Sequence, residues 1–225
     1  MNLVFPRLYA IIDPTFLTIS ELALAEALAA SGVELIQYRN KTASSRQFFE
    51  ISRQISSALG SRRVRLIVND RPDIALLAGA GGVHVGQDDL SVEDARAICG
   101  PDRWVGVSTH TLEQVTEANA TSADYIAFGP IFPTATKKNP DPVVGTELLR
   151  QARQLTKKPL VAIGGITLER AAGVYRAGAD SLAVIRDLMC VPNPGVRAHE
   201  YLEVAGSATA QGSGSGAGST GSPRD

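Results

Sequence analysis

Short apolar runs alternate with longer amphipathic stretches along almost the whole chain. LYAII (Leu8–Ile12) reads as a strand, and Thr18 with Glu21 forms a capping box opening an Ala/Leu-rich helix to Ala30. LIQY (Leu35–Tyr38) is a second strand, followed by a helix that Ser44 and Gln47 open and that runs to about Leu59. RLIV (Arg65–Val68) precedes a helix from about Arg71, with Pro72 suited to its first turn. VHV (Val83–Val85) precedes a helix near Ser91, and WVGV (Trp104–Val107) one near Thr111. YIAF (Tyr125–Phe128) leads into a long loop and a helix from Thr146 to Leu155. LVAI (Leu160–Ile163) precedes a helix over Thr167–Ala177, and SLAVI (Ser181–Ile185) a last one near Val196–Glu203. The strands are short and apolar without alternation, as parallel strands covered on both faces should be. Strand–helix pairs repeated eight times predict an α/β fold, a (β/α)8 TIM barrel, as one domain over residues 1–205. Residues 206–225 are Gly/Ser-rich, cannot bury a core, and are expected to form a disordered tail.

Polar residues gather immediately after these runs, as QYRNK, NDRPD, GQDD, STH, GPIFPTATKK, GGIT and RD. In a barrel they would meet on the face formed by the C-terminal ends of the strands, where such folds carry their active sites. The loop Gly129–Val144 is long and stiffened by Pro130, Pro133, Pro140 and Pro142, which fits a loop that covers substrate.

Composition narrows the class of partner. With 22 Lys+Arg against 23 Asp+Glu the formal charge is −1, so no bulk field draws nucleic acid or an anionic membrane. No stretch approaches the ~18 uninterrupted apolar residues of a membrane span. The N-terminal MNLVFPRLYAIIDP lacks the pattern of a secretory signal. Cys99 and Cys190 belong to no CxxC motif and suggest no disulfide framework. These features lead us to expect a cytoplasmic protein with small-molecule partners, no nucleic acid and no membrane; they leave the oligomeric state open.

Asn69 and Asp70 follow the third strand, and Asp88 and Asp89 follow the fourth, so neighbouring strand ends bring carboxylates together. A few carboxylates with open positions suit Mg2+, which keeps waters and takes substrate phosphates; each aspartate alone would also serve as a helix cap. Arg39 and Lys41 share the direction of Gln37, and Lys137 adds a further cation. Fixed cations beside a metal favour departure of a polyphosphate. Gly164–Gly165 after strand seven and Ile185–Arg186 after strand eight occupy the usual phosphate position of such barrels. His84 alternates with Val83 and Val85 inside a strand and reads as a satisfied interior histidine. Ser108 and His110 sit close in sequence but lack the GxSxG elbow of a hydrolase.

These residues carry a resemblance. QYRNK (37–41), NDRPDIAL (69–76), GVHVGQDDL (82–90), VGVSTHT (105–111), DYIAFGPIFPTATKK (124–138), VAIGGIT (161–167) and AGADSLAVI (177–185) together resemble the thiamine phosphate synthase family. The resemblance implies a transferase that joins hydroxymethylpyrimidine pyrophosphate to hydroxyethylthiazole phosphate, releasing pyrophosphate by a dissociative route. It implies Mg2+ on Asp70 and Asp89, and pyrimidine pyrophosphate on Gln37, Arg39, Lys41, Asn69, Ser108 and Lys137. Arg39, Ser108 and Lys137 would be the catalytic members of that set. Thiazole phosphate would lie on Thr134, Thr136, Gly165 and the Ile185–Arg186 backbone. The chain departs from the family pattern at Asn40, usually acidic, at Gly81, usually aspartate, and at Arg186, commonly serine. Gly81 reads as a turn position. Three other readings compete: a thiazole tautomerase-like relative, a non-catalytic barrel that binds thiamine precursors, and an aldolase or epimerase barrel. Retention of the pyrophosphate-side residues argues against the first two, and no strand-end lysine is convincingly placed for the Schiff base of an aldolase.

Overall fold

Eight parallel strands close into one barrel in the order β1 to β8, with β8 pairing back onto β1. The computed structural model describes residues 5–60, 62–134 and 141–212, with side chains to 208. The strands are β1 (Leu8–Ile12), β2 (Leu35–Tyr38), β3 (Arg65–Asn69), β4 (Gly82–Val85), β5 (Trp104–Thr109), β6 (Tyr125–Phe128), β7 (Leu160–Ile163) and β8 (Ser181–Val184). The helices are α1 (Glu21–Ala30), α2 (Ser45–Leu59), α3 (Pro72–Leu77), α4 (Val92–Cys99), α5 (Leu112–Ala120), α6 (Gly145–Leu155), α7 (Leu168–Arg176), α8 (Arg186–Met189) and α9 (Pro194–Gly212). No helix among the described residues is long and apolar enough to cross a membrane.

Two-residue periodicity divides the core. On β1, Leu8, Ala10 and Ile12 face the helices, while Tyr9 and Ile11 face the barrel interior. The outer layer joins strands to helices; the inner one holds Phe5, Tyr9, Ile11, Leu35, Ile67 and Tyr125 among others. Phe5 stacks on Trp104 with ring centroids 5.1 Å apart and plugs the end of the barrel where the strands begin. Tyr125 then lies across Gly106, where a Cβ would come within 2.0 Å of its ring, so only glycine on β5 leaves room for it. Beyond this plug the interior becomes polar and opens toward the C-terminal ends of the strands.

Three expectations change. The helix after β1 is capped by Ser20, whose side chain accepts from the Ala23 amide, in place of the Thr18–Glu21 box. A short helix, α8, follows β8 directly, ahead of the expected last helix. That last helix, α9, runs past Gly206, the expected start of the tail, as far as Gly212. Ala205 is buried against the core there, and extending an anchored helix costs little per residue. The rest of the expected tail, 213–225, lies outside the described residues.

Candidate active site

The inward parity of the strands carries the site. Gln37 on β2, Asn69 on β3, His84 on β4 and Ser108 on β5 all lie on the barrel-facing register, and Arg39 continues that of Gln37. They border a cavity of about 480 Å³ whose far wall includes Thr134, Gly165, Ile185 and Arg186. A wider basin of about 1370 Å³ adjoins it, shares Arg39, Asn69, His84 and Ser108, and adds Lys41, Asp70 and Asp89. The described candidate residues therefore line one continuous cleft. Thr136 and Lys137 lie outside the described residues.

The basin is an alternation of charges. Arg39 donates to Asp13, and Lys41 donates to Asp70. Asp70 adopts φ 62, a left-handed conformation that aspartate tolerates better than most side chains, and its amide donates to the carbonyl of His84 at 2.8 Å. That turn brings its carboxyl close to Asp89, whose Oδ2 accepts from the Gly86 amide at 2.7 Å. Burial pushes the Asp70 carboxyl above the usual carboxylate range; Lys41 opposes this and the neighbouring Asp89 adds to it. A divalent cation between two facing carboxylates relieves the repulsion that Asp70 meets from Asp89, so the donor set fits Mg2+. No group of three or more His, Cys, Asp or Glu able to hold a metal occurs among the described residues.

The opposite wall is built from backbone. Gly164 and Gly165 take φ 100 and φ 61, and a Cβ on Gly165 would meet the Pro133 carbonyl at 2.5 Å. The loop after β6 is fastened there by Phe132, whose amide donates to the Gly164 carbonyl at 3.0 Å. Arg170 donates to the Gly165 carbonyl at 2.8 Å while its guanidinium lies over Phe132. Arg186 opens α8 at the cavity rim, its guanidinium carbon 5.5 Å from the Phe16 ring centroid.

Beneath the cavity runs a chain of side-chain hydrogen bonds. Gln37 Nε2 donates to Tyr9 at 2.7 Å, Tyr9 meets Tyr125 at 2.8 Å, and Tyr125 meets His84 Nδ1 at 3.1 Å. His84 Nε2 lies 2.8 Å from Ser108 Oγ. His84 is thus the satisfied interior histidine that its alternation predicts. His110 has other partners: Nδ1 bonds the Gly129 carbonyl at 2.6 Å and Nε2 lies 3.5 Å from Asp141. No Ser108–His110 pair forms.

Two departures from the family pattern find physical reasons. Gly81 lies in the bend just before β4 and is also constrained by packing: a Cβ there would sit 2.6 Å from Arg65 Cγ, where Arg65 lies over Trp104 and donates to the Gly81 carbonyl. Asn40 accepts from the Thr42 and Ala43 amides, each at 3.0 Å, and its amide group also donates to Tyr38. Asp13 was missed from sequence, although IIDP is a polar residue directly after an apolar run, the same signal that marks the other strand ends. Tyr9 and Tyr125 carried no signal, since inside a strand they look like core.

The match to known proteins agrees with this geometry. The model of the thiamine monophosphate synthase family matches residues 8–188. A thiamine-phosphate synthase of Koribacter versatilis is 50% identical over 210 residues, covering 90% of this chain and 97% of that protein. One of Methanospirillum hungatei is 38% identical over 185 residues, covering 82% and 90%. The structure of a thiamine phosphate pyrophosphorylase from Pyrococcus furiosus superposes with a TM-score of 0.82 at 32% identity, covering 90% of this chain and 96% of that one. On its motifs, its barrel and these relatives, the chain belongs to the thiamine monophosphate synthase family.

Proposed function

We propose that this thiamine-phosphate synthase, a transferase, joins hydroxymethylpyrimidine pyrophosphate to hydroxyethylthiazole phosphate in the cleft at the C-terminal face of the barrel. The observation that carries the proposal is the meeting of Arg39, Lys41, Asp70 and Asp89 in one basin beside the cavity that Gln37 and Ser108 line. Arg39 and Lys41, held by Asp13 and Asp70, face the pyrophosphate already oriented, and Asn69 and Lys137 bind it with them. As the bond from the pyrimidine methylene to pyrophosphate breaks, negative charge grows on the departing oxygens, and fixed cations stabilise it without reorganising. Asp70 and Asp89 would hold Mg2+, which when bound supplies further positive charge to those oxygens. Gln37 and Ser108 grip the pyrimidine ring while it bears the positive charge left behind. Thr134, Thr136, Gly165 and the Ile185–Arg186 backbone hold the thiazole phosphate so that the thiazole nitrogen meets the methylene carbon. Orientation of the two substrates against each other lets the thiazole nitrogen capture the cation, with no protein nucleophile.

A cytoplasmic setting, with small-molecule substrates and neither nucleic acid nor membrane as partner, belongs to the same proposal. It is supported by the charge of −1 and by the free thiols of Cys99 and Cys190. The test is to incubate the purified protein with both substrates, with Mg2+ or with EDTA, and to follow thiamine phosphate and pyrophosphate together. Equal amounts of both products with Mg2+, and neither with EDTA, are expected. Undiminished product in EDTA would remove the metal from the scheme.

A further inference from the structure

The chain of hydrogen bonds below the cavity has a property that none of its members has alone. Its two ends, Gln37 and Ser108, both open into the cavity, and its three inner members, Tyr9, Tyr125 and His84, join them through strands β1, β6 and β4. A phenol, and equally a neutral imidazole, used at two contacts gives a proton at one and receives at the other. The sense of the first bond therefore fixes every other. With Gln37 Nε2 donating to Tyr9, the protons run Tyr9 to Tyr125 to His84 Nδ1, and His84 Nε2–H donates to Ser108. Gln37 then offers the cavity its carbonyl oxygen, an acceptor, and Ser108 offers its O–H, a donor. Turning the Gln37 amide over reverses each bond in turn, and both ends exchange roles together. Tyr9 and Tyr125 are 1% and 0% exposed, so no water stands ready to replace a lost partner.

We propose that Tyr9, Tyr125 and His84 are positioning residues that lock Gln37 and Ser108 into opposite hydrogen-bonding senses, so that the cavity selects a ring edge presenting one donor and one acceptor. The inference rests on the reading above that the pyrimidine ring lies between Gln37 and Ser108. An aminopyrimidine edge, with a ring nitrogen beside an exocyclic amine, satisfies both ends. A 4-oxo ring with its N–H also satisfies them after the chain reverses. A 4-methoxy ring offers two acceptors and leaves one buried group unpaired whichever way the chain runs.

The test uses 4-amino-, 4-oxo- and 4-methoxy-5-hydroxymethyl-2-methylpyrimidine as competitive inhibitors against the pyrimidine pyrophosphate. The proteins compared are the wild type, Tyr125→Phe and Tyr9→Phe, with Tyr175→Phe, whose hydroxyl bonds the Arg7 carbonyl away from the cleft, as control. In the wild type and the control the methoxy ring should bind ~10- to 100-fold more weakly than the amino ring, the cost of one unpaired buried group. In Tyr125→Phe and Tyr9→Phe, which cut the chain in different places, that ratio should collapse toward the part due to bulk, which is the same in all four proteins. A general loss of packing would weaken all three rings alike and leave the ratio intact. An intact ratio in both cut proteins, or no discrimination in the wild type, overturns the proposal while the pyrimidine reading stands. If none of the rings competes in the wild type, the pyrimidine reading falls and the proposal with it.

Discussion

Arg39 and Lys41 show how single residues divide the work of the site. Each belongs to the loop after β2, and each is held by a carboxylate from another strand end, Asp13 after β1 and Asp70 after β3. Sequence indicated the cations through the parity they share with Gln37, but the partner each one meets depends on which strand ends lie side by side, and Asp13 emerges only there. Arg186 stands where the resemblance leads one to expect serine. It stands at the cavity rim where the thiazole phosphate is proposed to lie, and its guanidinium is exposed beside Phe16. A partly exposed ion pair contributes up to about 1 kcal/mol, so Arg186→Ser should raise the thiazole-phosphate KM by about threefold to fivefold and leave the pyrimidine KM nearly unchanged. Steady-state kinetics with each substrate varied in turn checks this; equal shifts in both constants would refute it.

Elements were legible where periodicity is strong. Every strand was located to within a residue or two, because runs buried on both faces have no competing reading. The ends were harder. Thr18 and Ser20 both precede the first helix, and which of them caps it depends on where the turn at Pro14–Phe16 releases the chain. Ser20→Ala should lower stability by about 1 kcal/mol and Thr18→Ala by much less, measured by urea unfolding. The reverse order would return the cap to Thr18. The short helix α8 was hidden, since RDLM offers a single turn too brief for any periodicity. At the opposite face of the barrel a repeated device needs tertiary structure to be seen. Asp124 accepts from the Val105 amide and pairs with Arg96, and Asp180 accepts from the Leu160 amide and pairs with Arg153. In both units a carboxylate satisfies an amide at the start of a strand, the second of β5 and the first of β7, and an arginine offsets its charge.

At the scale of the molecule the barrel is a container whose plugged end is aromatic and whose open end is charged. Buried tyrosines in both layers of the core tie stability to high pH. All 5 tyrosines of the chain hold their protons more firmly in the folded protein than the ordinary phenol value of 10.0, mainly through burial. Tyr38 is pushed up to about 12. A raised folded value means that the contribution is whole below about pH 10, where the unfolded phenols ionise, and is lost as pH rises through the folded values. Melting temperature should hold steady to about pH 9 and fall between about pH 10 and 12. Phenolate absorbance should appear only as the far-ultraviolet circular dichroism is lost. Phenolate appearing in an intact fold would contradict the burial argument.

If the charged basin drives departure of pyrophosphate as proposed, Asp70 is its pivot, because it meets Lys41, adjoins Asp89 and takes its backbone turn from the end of β3. The most direct measurement is kcat for thiamine phosphate formation at saturating substrates and Mg2+, wild type against Asp70→Asn, a change that keeps the shape and tolerates the left-handed backbone. A fall of about 100-fold or more with an unchanged fold is expected, as when one charge-stabilising group is removed from an active site. A kcat close to that of the wild type would contradict it.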